Sequence, residues 1–212
     1  FLKPQTFFNI LNANGALIIT ACGLSLVMIT GSIDISVGGV VALVSMCCAV
    51  YLDFMGGNVF VSLLIALGIG LAFGLVQGFL VAYLDIQPFI VTLAGMFFAR
   101  GMTSIVHTDP FNVQNEAFVK LKDTRVIVPG MGSVNRIGKY VNAYVEIGVI
   151  VAILIVIIMF VLLRWTKLGR SFYAVGGNRQ SALMLGINVK KTRFLAHLLS
   201  GLLAGIAGYV YF

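Results

Sequence analysis

From Val149 to Leu163 the chain reads VIVAILIVIIMFVLL, fifteen apolar residues in succession. A surface helix of a soluble protein shows a polar face at every turn, and this stretch shows none. Extended back to Tyr144 across Glu146 and Gly148, the run approaches the roughly 20 helical residues that cross a hydrocarbon core. Five comparable runs accompany it: Asn12–Thr30, Ile35–Leu52, Val59–Leu84, Phe89–Val106 and Phe194–Phe212. A barrel strand would alternate over about ten residues, so runs this long and uniform specify helices, whose backbone hydrogen bonds close within each segment. The predicted fold is an all-α integral membrane protein, a polytopic transmembrane helix bundle forming one domain over residues 1–212. Composition leaves little room for anything else. Of the residues 60% are hydrophobic and 10% charged, too few charges to clothe a soluble surface, and the mean hydropathy is +1.06. Cys22, Cys47 and Cys48 sit inside apolar runs without C-x-x-C spacing, so neither a disulfide scaffold nor a thiolate metal site is indicated.

Charge is distributed unevenly along this frame. Lysines and arginines number 14 against 7 acidic residues, a net +7, and half of the cations fall between Arg164 and Arg193, where no acid occurs. That pattern fits a membrane-edge loop obeying the positive-inside rule rather than a nucleic-acid surface. The other long connection, His107–Ala143, carries Pro110, Pro129, Gly130 and Gly132 and five cations of its own, and reads as an extracytoplasmic loop. Simple alternation places Lys3 on that outer side too, so orientation rests on the density of cations in the loop 164–193. His107 and His197 lie far apart without carboxylate partners in their own segments. No catalytic constellation, phosphate-binding loop or metal signature is visible, and the expectation is a non-enzyme without a cofactor.

Two interruptions inside the apolar runs carry polar groups. Gly31-Ser-Ile-Asp-Ile-Ser-Val-Gly-Gly39 breaks what would otherwise be a run of some forty residues. Asp34 and Ser36 there offer oxygens for exposed backbone N–H groups, and Ser36 could cap the following helix. Either this is a turn at the membrane edge, or it is a broken or re-entrant helix presenting polar groups to a cavity. Arg100 lies within Phe89–Val106, and either snorkels to the interface or pairs with a buried group such as Asp34. Small residues form two stripes, Gly70, Gly74, Gly78 in one run and Gly201, Gly205, Gly208 in another. Both permit close helix packing, and either could serve as a sliding surface.

The loop from Arg164 to Arg193 is too polar to insert and too apolar to be a spacer. Asn178 can cap a short helix Arg179–Leu185, Gly186 fits a left-handed stop after it, and Gly176 with Gly177 offers a tight turn before it. Ala182, Leu183, Met184 and Leu185 give that helix an apolar side, suited either to a partner's groove or to lipid headgroups.

This segment resembles the coupling loop in permease subunits of ribose-type sugar ABC importers, with the pattern G-R-x-x-Y-A-x-G-G-N-x-x-x-A-x-x-x-G-I. It stands here as Gly169, Arg170, Tyr173, Ala174, Gly176, Gly177, Asn178, Ala182, Gly186 and Ile187. The family's G-G-I-D-L-S-V-G is matched by Gly31–Gly38, with Ser32 and Ile35 as departures. Its P-F-I-x-T-L-x-x-M-x-x-x-R-G is matched by Pro88, Phe89, Ile90, Thr92, Leu93, Met96, Arg100 and Gly101, in wording similar to the galactofuranose-type branch. Members run beyond this chain at both ends, so the resemblance implies an internal piece of a longer permease.

What the resemblance implies is a multi-pass bacterial inner-membrane subunit that passes a monosaccharide. An ABC ATPase subunit would dock on the coupling helix, an extracytoplasmic sugar-binding protein would deliver the substrate, and a second permease subunit would complete the pathway. Asp34, Ser36, Gln77, Phe89, Thr92 and Arg100 are the candidate pathway residues. The rival reading is an ion-gradient-driven secondary transporter, for which Asp34 is the one plausible coupling carboxylate.

Overall fold

A computed structural model describes residues 4–109, 111, 113–134 and 140–212; Lys3 and Pro110 lie outside the described residues. Among them the chain forms nine helices and one two-stranded hairpin. Six helices are long and apolar enough to cross a membrane: α1 (Pro4–Ile29), α2 (Val37–Phe54), α3 (Val59–Ala82), α4 (Pro88–Val106), α6 (Ile147–Trp165) and α9 (Val189–Tyr211). Shorter pieces join them: α5 (Glu116–Lys122), β1 (Arg125–Val134), β2 (Tyr140–Glu146), α7 (Lys167–Gly177) and α8 (Arg179–Met184).

Local chemistry sets the boundaries. Pro88 occupies the first turn of α4, where a missing N–H costs nothing. The Asn58 side chain accepts from the Phe60 N–H at 2.9 Å to start α3, and Asn188 accepts from Lys191 N–H at 2.9 Å to start α9. Gly31, at φ +76°, ends α1 by entering the left-handed region. Asp85, at φ +53°, turns α3 into α4 in the same region, which aspartate tolerates better than most side chains.

α9 is the hub. It packs against α1, α2 and α3, and its buried face is built of small residues: Ala196, Gly201, Ala204, Gly205 and Ala207. One apolar cluster joins Ile19 and Leu26 of α1, Ile155 and Met159 of α6, Phe172 of α7 and Leu203 of α9. A second joins Val37, Val40 and Val44 of α2 to Ala66 and Ala204. At one end of the bundle Asp53 accepts the N–H groups of Gln114 and Asn115, pinning the start of α5 to the α2–α3 turn. At the same end Asn12 bonds Tyr144 O and Glu146 N–H, tying α1 to β2. The α3–α4 turn, α7 and α8 lie at the other end.

The observed elements differ from the sequence reading in four places. α1 begins at Pro4 rather than Asn12, with the proline at the first helical position, where its missing N–H is tolerated. Residues 140–146, part of which read as the start of a span, form β2 and pair antiparallel with β1, Arg125 opposite Glu146. α9 starts at Val189, five residues before the apolar run, since its cationic first turn lies at the bundle end where charges reach water. Gly176 and Gly177 are not a turn: α7 continues helical through both.

Candidate functional site

The break between α1 and α2 turns its polar side chains into the bundle: Thr30, Ser32, Asp34 and Ser36 are each at most 6% exposed, while Ile33 between them is 54% exposed. Asp34 Oδ1 accepts from the Ser36 N–H at 3.0 Å and from the Ser36 hydroxyl at 2.6 Å, and Oδ2 accepts from the Ser200 hydroxyl of α9 at 3.1 Å. The Ser36 oxygen in turn accepts from the Gln77 amide of α3 at 2.9 Å. Thr92 of α4 donates to Pro88 O at 2.9 Å and approaches Ile33 O at 3.4 Å. Asp34, Ser36, Gln77 and Thr92 therefore converge on one polar knot that ties the broken segment to three helices. Asp34, Ser36 and Gln77 bond one another, Thr92 bonds backbone carbonyls beside them, and Gln77 also borders a groove between α3 and α4.

Phe89 and Arg100 do not join the knot. Both are exposed on α4, and Arg100 is not the buried partner of Asp34. The charge that is paired in the last span is Arg193: its guanidinium, 5% exposed, donates to Asp85 Oδ1 at 3.0 Å. That hydrogen bond, and then the guanidinium charge itself, hold the Asp85 carboxyl below the usual carboxylate range. A depressed carboxylate pKa contributes stability above its unfolded value and loses it as pH falls through the folded value. Asp85→Asn should therefore lower the melting temperature of the detergent-solubilised protein at pH 7, with the gap to the unmodified protein closing in strong acid. A gap independent of pH would count against the ion pair.

At the same end, the segment between α6 and α9 folds into two short helices. Thr166 caps α7 by accepting from Gly169 N–H at 3.1 Å, and Gly169 packs on the last carbonyls of α6 where a β-carbon would not fit. The buried side of α7 is Gly169, Phe172 and Val175, while Arg170 and Tyr173 face outward. Asn178 ends α7 and caps α8, accepting from Ser181 N–H at 3.0 Å. Gly186, at φ +77°, closes α8, and the Ile187 N–H bonds Ala182 O at 3.0 Å. Ala182 is buried, and Leu183, Met184 and Leu185 stand out, Met184 at 89% exposure. Ala174 is half-buried, and Gly177 faces open space.

The family model described as branched-chain amino acid transport system / permease component matches residues 6–212. The chain belongs to this family. The permease is 37% identical over 196 residues to the fructose import permease protein FruG of Bifidobacterium longum, covering 92% of this chain and 56% of that one. It is 33% identical to the inner membrane ABC transporter permease protein YjfF of Escherichia coli K12 (100% and 60% covered). It is 35% identical to the ribose import permease protein RbsC of the same strain (99% and 62%). The chain thus spans little more than half the length of such relatives. No solved structure matches.

In the permease, the glycines of α3 meet those of α9. A β-carbon on Gly70 would fall on Gly201 O, and one on Gly74 would lie 2.9 Å from His197 O. Gly78 faces Phe194, and Gly205 faces Ala66. Gly208 instead turns to α2, where Val44 Cβ stands 2.7 Å from its missing β-carbon. Sequence reasoning missed Ser200. The signal for it existed: Arg193, His197 and Ser200 recur at i, i+4 and i+7, a polar stripe within an apolar helix. Among the described residues no group of acidic, histidine and cysteine side chains could hold a metal ion.

Proposed function

We propose that this chain is part of the membrane subunit of an ATP-driven ABC importer for a neutral monosaccharide, seated in a bacterial inner membrane. The observation that carries the reading is α8, a capped helix with its apolar residues Leu183, Met184 and Leu185 standing in the open between two helices anchored in the bundle. An apolar helix face held out on fixed supports suits a groove in a partner, here an ABC ATPase subunit. The sugar importers among the relatives support the substrate class. ATP chemistry belongs to the partner, and an extracytoplasmic sugar-binding protein and a second permease subunit complete the assembly. The segment 164–193 is cytoplasmic, and the hairpin and α5 face outward. Gln77 is the pathway residue favoured, because it borders a groove of about 440 Å³ between α3 and α4, lined also by Phe73 and Phe98, whose flat faces suit a sugar ring. Asp34, Ser36 and Thr92 support it from behind.

The test is reconstitution of the complete permease with its ATPase and binding protein in liposomes, followed by uptake of labelled monosaccharides. Uptake that requires all three components and ATP upholds the reading. Gradient-driven uptake by the permease alone makes it a secondary transporter. Ala182→Asp, which plants a carboxylate in the buried root of α8, is expected to abolish binding-protein-stimulated ATP hydrolysis while membrane insertion persists. Stimulation within twofold of the unmodified complex would count strongly against α8 as the coupling element.

A further inference from the structure

We infer that Gly176 is a positioning residue, the joint through which α7 hands the movement of α8 to the broken segment; this rests on the reading of α8 as the ATPase contact. Within the coupling motif the two neighbouring glycines differ. Gly177 has open space where a side chain would be, whereas the Ile29 carbonyl oxygen occupies the place of a β-carbon on Gly176, with Thr30 Cα 3.4 Å away. Ile29 is the last residue of α1 and Thr30 opens the break. The contact therefore joins the last turn of α7 to the backbone at the mouth of the polar knot.

The joint is stiff on both sides. α7 is held by Phe172, buried in the same apolar cluster that contains Leu26 of α1, and by Val175, which is also buried. Beyond Thr30, whose own N–H bonds back to Leu26 and Val27, Asp34 reaches Ser200 on α9 and Ser36 reaches Gln77 on α3. A displacement of α7 must move the Ile29 carbonyl, because two backbones meet there with no side chain to yield. From that carbonyl the break begins at the next residue, and through the break the knot reaches α3 and α9. Gly176 thus works inward, on the permease itself, while α8 faces the partner.

The experiment uses the complete permease with its ATPase and binding protein in liposomes. Gly176→Ala and Gly176→Val are compared with Lys167→Ala on the exposed side of α7. The expected result is that the ratio of binding-protein-stimulated to unstimulated ATP hydrolysis falls at least tenfold in Gly176→Val and by less in Gly176→Ala, with the ATPase still retained in detergent. Lys167→Ala is expected to keep the ratio within twofold. A packing defect alone would lower yield and leave the ratio of the surviving complexes unchanged, and that outcome overturns the inference. So does a Gly176→Ala protein that never reaches the membrane, since a joint is dispensable for assembly. An unmodified permease that retains no ATPase sinks the reading of α8 instead, which separates the two failures.

Discussion

Gly201→Leu is expected to lower the ratio of folded to unfolded permease by about a hundredfold, and with it the protein recovered from membranes. At this position the missing β-carbon lies 2.7 Å from both the N and the Cα of Gly74, and Gly70 O stands closer still. Those are backbone atoms of a helix that cannot rotate out of the way. Four more carbons would have to force α9 off α3, at a cost on the order of 3 kcal/mol for overpacking that cannot relax. A change of that size is about two decades in an equilibrium. Gly68→Leu supplies the comparison, because its β-carbon would meet no atom within 4 Å. Monodisperse protein in detergent, measured by fluorescence-detected gel filtration, should collapse for the first variant and persist for the second. Equal recovery of the two would show that the α3–α9 contact is looser than described.

Asp34→Ala should be nearly as damaging, and the isostere separates two causes. Removing the carboxylate strands the Ser200 hydroxyl and the Ser36 N–H inside the bundle and leaves the Ser36 hydroxyl only its longer bond to Gln77 Oε1 at 3.1 Å. Each buried donor left without a partner costs about 1–3 kcal/mol, so the sum is on the order of 3 kcal/mol or more. Asp34→Asn keeps an oxygen for Ser36 and places an amide where Ser200 can accept. Thermal unfolding in detergent should show a large loss for alanine and a loss of roughly a third of that or less for asparagine. In transport the same order is expected, because the proposed role of the group is to hold the break in place. If asparagine stops uptake as completely as alanine while remaining folded, the negative charge itself is used, and a gradient-coupled mechanism regains its case.

Much of this architecture was legible in the residues. Six apolar runs became six long helices because a helix is the one local structure that satisfies its own backbone in lipid. The cap at Asn178 and the stop at Gly186 follow from side chains and conformations that act over three or four residues. What stayed hidden depends on partners distant in sequence. The spacing of Gly70 with Gly74 and Gly78 sets it apart from Gly68, yet nothing in the chain says that the helix it meets is α9. Gly176 and Gly177 suggest a turn until Ile29 is seen filling the space beside the first. The burial of Asp34 comes from Ser200, 166 residues further along, and no local pattern near residue 34 points there. Arg100 reads in the sequence either as a snorkelling charge or as half of a buried pair, whereas the buried cation is Arg193, whose partner Asp85 belongs to a turn. The hairpin escaped notice because residues 144–146 extend an apolar run and so resemble its beginning.

The bare contact between α3 and α9 has a mechanical consequence. Where side chains cushion an interface, they can change rotamer and let one rod shift along another. Between Gly70, Gly74, Gly201 and Gly205 there is no cushion, and a slip of even one residue would drive peptide into peptide. These two rods are a keel. Whatever opens and closes in this molecule is expected to turn about them as a fixed pair, with the larger excursions left to α4 and α6, whose outer surfaces carry side chains such as Phe97 and Ile157 rather than bare backbone.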